Sequence, residues 1–202
     1  TVWGIRQARI TRAARETGAC ARPRGGRLTV ALVYPNTYYQ GMSNLGLQTV
    51  YRMLNSREDT LCERFFLPDP EDLDEHCRTG FPLVSVETQS PLDAFDLVAF
   101  SISFENDYLN LPILFELGRL PMWQEDRSAR HPLVLCGGVC AFMNPEPLAE
   151  IMDLFAVGEA EVILPGLLEA MLDVEESPRD QLLDRLAQLP GIYLPSGYIV
   201  SY

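Results

Sequence analysis

Four short stretches hold the residues best placed to do chemistry in this chain. They are Tyr34-Pro35-Asn36-Thr37-Tyr38-Tyr39-Gln40-Gly41-Met42-Ser43-Asn44-Leu45-Gly46, Phe100-Ser101-Ile102-Ser103-Phe104-Glu105, Cys136-Gly137-Gly138-Val139-Cys140 and Val157-Gly158-Glu159-Ala160-Glu161. Each follows an apolar run and offers hydroxyls, amides or bare backbone. Gly137-Gly138 lets a backbone approach a bulky planar ligand, because no Cβ projects, or it serves as a tight turn. Ser101 and Ser103 lie two apart, so their hydroxyls point to one side and can bind a ligand or cap the turn. Glu159 and Glu161 suit the positive end of a helix, or contact with a neighbouring domain or ligand. Glu105-Asn106-Asp107 has too few ligands for a metal. The pattern is that of a binding module with no catalytic residue and no metal ligand.

The chain has 202 residues and a net charge of −12, and all sixteen of its basic residues are arginine. Without lysine there is no Walker loop, no Schiff-base amine and no phospho-receiver site. The cysteines, Cys20, Cys62, Cys77, Cys136 and Cys140, are odd in number and match neither a disulfide scaffold nor a zinc ribbon. A reducing cytoplasm is the expected setting. His76 and His131, the only histidines, are expected at the surface.

Charge is unevenly spread. Residues 1–27 carry seven arginines and one acid, so the remainder carries −18. An acidic body repels nucleic-acid backbones and membranes, and no apolar run reaches the ~18 residues of a membrane helix. Arg6, Arg9, Arg12 and Arg15 share one helical face. Docking of that face on the acidic body, or plain solvation, is preferred to an RNA-contacting arm.

The elements that must position the four stretches alternate. Residues 28–34 form a strand buried on both faces, stopped by Pro35-Asn36, and Gly46–Leu54 has helical spacing. A charged strand at 62–67 suits a sheet edge. A short acidic helix at 72–78 ends at Gly80, and 83–87 reads as a small extra strand. Strands at 96–103, 133–136 and 154–157 alternate with helices at 109–120, 145–151 and 161–172. This repeat predicts an α/β fold: a flavodoxin-like, Rossmann-type, doubly wound parallel sheet of five strands in the order 2-1-3-4-5. Domain boundaries fall at 1–27 (basic segment), 28–172 (α/β domain) and 173–202. The last part holds an acidic helix from Glu175 and an exit strand at 191–200.

The ordered phrases His131-Pro132-Leu133-Val134-Leu135-Cys136-Gly137-Gly138, Asn144-Pro145-Glu146-Pro147-Leu148 and Asp153-Leu154-Phe155-Ala156-Val157-Gly158-Glu159-Ala160-Glu161 carry a resemblance. They resemble the cobalamin-binding-type domain that precedes the catalytic barrel in many radical S-adenosylmethionine (SAM) proteins. The loop from Val33 to Gly46 is similar to that of uncharacterised bacterial members. The resemblance covers roughly residues 28–172, and 192–202 are similar to the connector into the barrel. It implies a cobalamin-binding-like fold and a corrinoid-binding accessory domain of a methyl- or methylthiotransferase. The corrinoid would lie on Asn36, Thr37, Tyr38, Gly41, Ser43, Asn44, Ser101, Ser103, Glu105, Gly137, Gly138, Gly158, Glu159 and Glu161. It further implies a downstream barrel as partner, holding the 4Fe-4S cluster and S-adenosylmethionine.

One departure matters. Cobalamin carriers of the methionine-synthase type present Asp-x-His-x-x-Gly after the first strand, where this chain has Asn36-Thr37-Tyr38-Tyr39-Gln40-Gly41. Cobalamin would therefore bind without a histidine on cobalt, its lower face shielded by Tyr38, Tyr39 and Met42. The alternative is a non-binding interaction module that docks the barrel or orients a macromolecular substrate. A flavin carrier is a third class, whose phosphate loop of Ser, Thr and Gly residues is poorly matched by Asn36-Thr37 followed by two tyrosines.

Overall fold

The computed structural model describes residues 1–20, 22–173 and 178–198. Strands β1 (Leu28–Thr37), β2 (Thr60–Leu67), β3 (Leu97–Ser101), β4 (Leu133–Gly137), β5 (Leu154–Ala156) and β6 (Ile192–Tyr193) form one sheet in the order β2-β1-β3-β4-β5-β6. The first five are parallel, and β6 pairs antiparallel with β5 through Phe155↔Tyr193 and Ala156↔Ile192. The architecture is α/β, a mostly parallel six-stranded sheet flanked by helices, which corrects the expected five strands. The sixth forms where the exit segment folds back at Gly191, whose φ is +80°. Residues 174–177 and 199–202 lie outside the described residues, so the start of the acidic helix and the end of the exit strand do too.

Leu28 to Tyr34 are all buried, and their alternation feeds two cores. Val30, Leu32 and Tyr34 pack with α3 (Leu45–Ser56) and α7 (Ala160–Leu172). Ala31 and Val33 face the other way, with α5 (Leu111–Leu117). There Phe100 stacks on Phe115 at 5.4 Å. Such a buried aromatic pair adds about 1 kcal/mol beyond its area burial. Helix α3 forms as its spacing predicts, burying Leu47, Tyr51 and Leu54, with the Asn44 side chain capping the Leu47 amide.

Several boundaries differ from expectation. β1 runs on to Thr37 through a register shift between Tyr34 and Thr37 instead of stopping at Pro35. Residues 83–87 contribute a single bridge, Val84↔Pro91, rather than a strand. The helix expected from 109 is a 3-10 turn (Glu105–Asn110) followed by α5, with Pro112 in its first turn. The helix expected at 145–151 is a 3-10 turn, Glu146–Leu148.

The charged edge strand is closed. Glu63 and Arg64 on β2 are 0% and 2% exposed. The Val86 amide donates to the Arg64 carbonyl, and the Arg64 amide donates to Glu87 Oε2. The Arg64 guanidinium bonds Glu87 at 2.7 Å and Glu16 at 2.5 Å while lying over the Tyr51 ring. Glu63 Oε2 accepts from Ser85 and Thr88. Unpaired backbone on an edge invites aggregation, and here a loop and the amino-terminal segment cover it.

The arginine-rich segment is docked. In α1 (Val2–Ala13), Ile5 is buried and Arg12 pairs with Asp69. Arg9 Nη2 donates to His76 Nε2, while His76 Nδ1–H donates to the Phe81 carbonyl. That carbonyl can only accept, so the ring is the neutral Nδ1–H tautomer. His76, on α4 (Pro70–Thr79), is fully buried, which corrects the surface expectation. The helix that covers it lies more than sixty residues away in sequence. His131 precedes β4 and is partly exposed.

Two outcomes are expected. Arg64→Met strands two carboxylates and should cost about 3–5 kcal/mol in urea unfolding. Adding Glu16→Gln and Glu87→Gln should restore part of it. An Arg64→Met chain as stable as wild type would contradict the buried cluster. Burial, with Arg9 adding to it, depresses the His76 pKa below its ordinary value of 6.5, against the Phe81 bond and the carboxylates of Asp72 and Glu75. The neutral ring therefore contributes fully above pH 6.5, and its contribution is lost as pH falls through the depressed value. Thermal midpoints should drop on acidification below that point, and less so in His76→Gln.

Candidate functional site

Because β1, β3, β4 and β5 are parallel, their carboxyl ends share one edge of the sheet, at Asn36, Ser101, Gly137 and Gly158. The loops there are laced together. Asn36 Nδ2 donates to Asp107 Oδ1 at 2.7 Å, Asn44 Nδ2 to Ser103 Oγ at 3.0 Å and Asn110 Nδ2 to the Pro35 carbonyl at 2.9 Å. All three join the loops after β1 and β3, neighbours at which the strand order changes direction, where open α/β sheets bind ligands. The loop after β4 is tied in by the Ile102 amide to the Gly137 carbonyl and the Cys140 amide to the Ile102 carbonyl.

Gly138 has φ +99°, and a Cβ there would stand 2.5 Å from the Ile102 carbonyl oxygen. Its missing side chain serves the protein's own packing. Gly137, paired with Ser101, meets only the Ala156 Cβ at 3.8 Å and keeps an open side. Gly41 is buried on α2 (Tyr38–Met42), where a Cβ would strike the Phe66 ring at 2.3 Å. Gly158 has φ +141°, at the turn into α7.

The remaining sequence-chosen residues divide. Asn36, Asn44 and Ser103 are brought together, with Glu105 exposed beside them. Thr37 is the amino cap of α2 without a side-chain bond, and Ser43 Oγ donates to the Tyr39 carbonyl. Tyr38 turns toward the amino-terminal segment, donating to Glu16 Oε1 at 2.6 Å and packing edge-on against Phe66. Burial and that carboxylate push its pKa up to about 12. Glu159 caps α7 without a side-chain bond, and Glu161 lies in the first turn.

Sequence reading weighed Asp107 only as a metal ligand and missed Asn110; their partners, Asn36 and Pro35, lie more than seventy residues away. Asp107 is buried, and its Oδ2 has no hydrogen-bond partner. Burial raises its pKa, against the Asn36 bond. The thiols of Cys136 and Cys140 are likewise raised by burial and are poor nucleophiles. Among the described residues no group of three or more His, Cys, Asp or Glu side chains could hold a metal.

The edge is instead apolar at its surface. Among the described residues twelve large apolar side chains are exposed, and eight lie on the loops and first helical turns that follow β1, β3, β4 and β5: Tyr39, Leu45, Phe104, Leu109, Val139, Phe142, Met143 and Val162. Leu109 is 83% exposed and Met143 72%. So many exposed apolar groups at one edge make it a candidate interaction surface. Phe142 and Met143 follow Gly137-Gly138 on α6 (Val139–Met143), whose inward side holds Cys140 and Ala141.

Residues 46–195 match the family described as "Radical SAM proteins, N-terminal". An uncharacterised protein of Methanocaldococcus jannaschii is 26% identical over 133 residues, 65% of this chain and 24% of that protein. The chain thus spans about a quarter of the length of that relative. No solved structure matches.

The two adjacent glycines are expected to respond differently. Gly138→Ala combines a glycine-type backbone with a carbonyl clash and should cost about 3 kcal/mol in denaturant unfolding. Gly137→Ala should stay within about 1 kcal/mol of wild type. Equal costs would contradict the packing described.

Proposed function

The chain belongs to the family of N-terminal domains of radical SAM proteins, and from that premise we propose an accessory domain that works through the carboxyl edge of its sheet. That edge seats the catalytic portion of the same protein. The observation carrying this reading is the concentration of exposed apolar side chains on the loops and first helical turns that leave this edge. The parallel order β2-β1-β3-β4-β5 supports the flavodoxin-like reading of the fold. The cluster and S-adenosylmethionine belong to the catalytic portion in this reading. Five free thiols and no helix among the described residues long and apolar enough to cross a membrane are consistent with a cytoplasmic setting.

A corrinoid carrier is the rival reading. The open side of Gly137, with Asn44 and Ser103 nearby, favours it. Two features weigh against it. Gly138 is filled by Ile102, and Tyr38 is held away by Glu16. The geometry supports docking further than it supports corrinoid carriage.

In the full-length protein, Phe142→Ser with Met143→Ser should speed amide exchange in residues 102–110 and 137–147 by tenfold or more. Removing two buried apolar side chains from an interface costs about 3 kcal/mol. Amides of Val30–Val33 should be unchanged, reporting an intact sheet. Exchange equal to wild type in the edge loops would overturn docking. Hydroxocobalamin retained through gel filtration by wild type would favour the rival.

A further inference from the structure

The edge loops carry charge of one sign. Residues 35–46, 102–110, 137–147 and 157–162 contain Glu105, Asp107, Glu146, Glu159 and Glu161 and not one arginine or histidine. All but Asp107 are exposed. Arg12, which reaches the margin over the Tyr38 and Tyr39 rings, is paired with Asp69. The opposite edge is where arginines gather: Arg127 and Arg179 both bond Asp153, and Arg179 also donates to the His131 carbonyl.

Helix dipoles explain part of this. Glu161 lies in the first turn of α7, where a carboxylate is favoured. They do not explain the rest. Helix α3 begins at the same edge with no acid in its first turn, while Glu105 stands on a 3-10 turn beside the exposed Phe104, and Glu146, on another, accepts from the Tyr193 hydroxyl. Interfaces combine an apolar centre with a charged rim, and a rim of one sign selects its complement and repels surfaces of its own kind.

We propose that the surface seated on this edge is basic: an apolar patch ringed by arginine or lysine side chains, on the catalytic portion of the same protein. This rests on the docking reading and adds the chemistry of the partner face. The acidic edge also disfavours a second copy of this domain placed edge to edge, since like charges would meet.

The test is amide exchange of residues 102–110, 137–147 and 157–162 in the full-length protein as sodium chloride rises from about 50 to about 500 mM. Exchange in the loops should rise about fivefold, the product of small factors from several exposed ion pairs. It should stay constant at Val30–Val33. Glu105→Gln with Glu159→Gln and Glu161→Gln should raise loop exchange at low salt and abolish its salt dependence. Protection that salt and the triple variant leave untouched would overturn the basic partner while leaving apolar docking standing. Unprotected loops at low salt would overturn both. Protection that grows with protein concentration, with a dimer in native mass spectrometry, would assign the edge to a second copy and overturn this proposal.

Discussion

Parallel pairing of β1 with its neighbours is the constraint on which the rest depends. Parallel strands must be joined by crossovers, so every strand returns to the same starting edge and every outgoing loop emerges at the other. Val30 to Val33 are held between β2 and β3, buried on both faces, so their direction is not free to vary. From that follows the meeting of residues 36, 101, 137 and 158. Side-chain amides then lock the loops: Asn36, Asn44 and Asn110 each bridge the loops after β1 and β3.

A parallel sheet leaves two outer strands, and the chain treats them differently. At β2 the exposed backbone is covered, and Arg64 ties that cover to the sheet through Glu16 and Glu87. A buried ion pair is poor evidence for net stability, since desolvation offsets much of its attraction, but losing one partner is costly. Glu16 also bonds Tyr38, so the amino-terminal segment helps hold the first loop of the carboxyl edge. At the other side β6 closes against β5 in the antiparallel sense.

The family match over residues 46–195 says which kind of protein carries this domain, without assigning it a ligand. The geometry adds that Gly138, which as sequence invites a planar ligand, is occupied by the backbone of Ile102. The carboxyl edge displays instead a set of exposed apolar side chains with acidic residues beside them.

Much of this was legible in the residues alone. Continuous apolar runs at 28–34 and 133–136, separated by helical spacing, dictate buried parallel strands because only crossover helices can cover both faces. The order of the five parallel strands and the convergence of their loops follow from the same pattern. What only the tertiary structure decided concerns partners distant in sequence. His76 is buried because α1 folds over it, Arg64 because Glu16 and Glu87 come to meet it, and Gly138 is closed because Ile102 lies against it. The apolar edge was hidden for the same reason. Phe104, Leu109, Phe142 and Met143 are unremarkable one by one, and only the sheet brings them to one face. Periodicity reports what each element does along its own axis; which side chains end up beside one another, and which are left facing water, is settled by packing between elements.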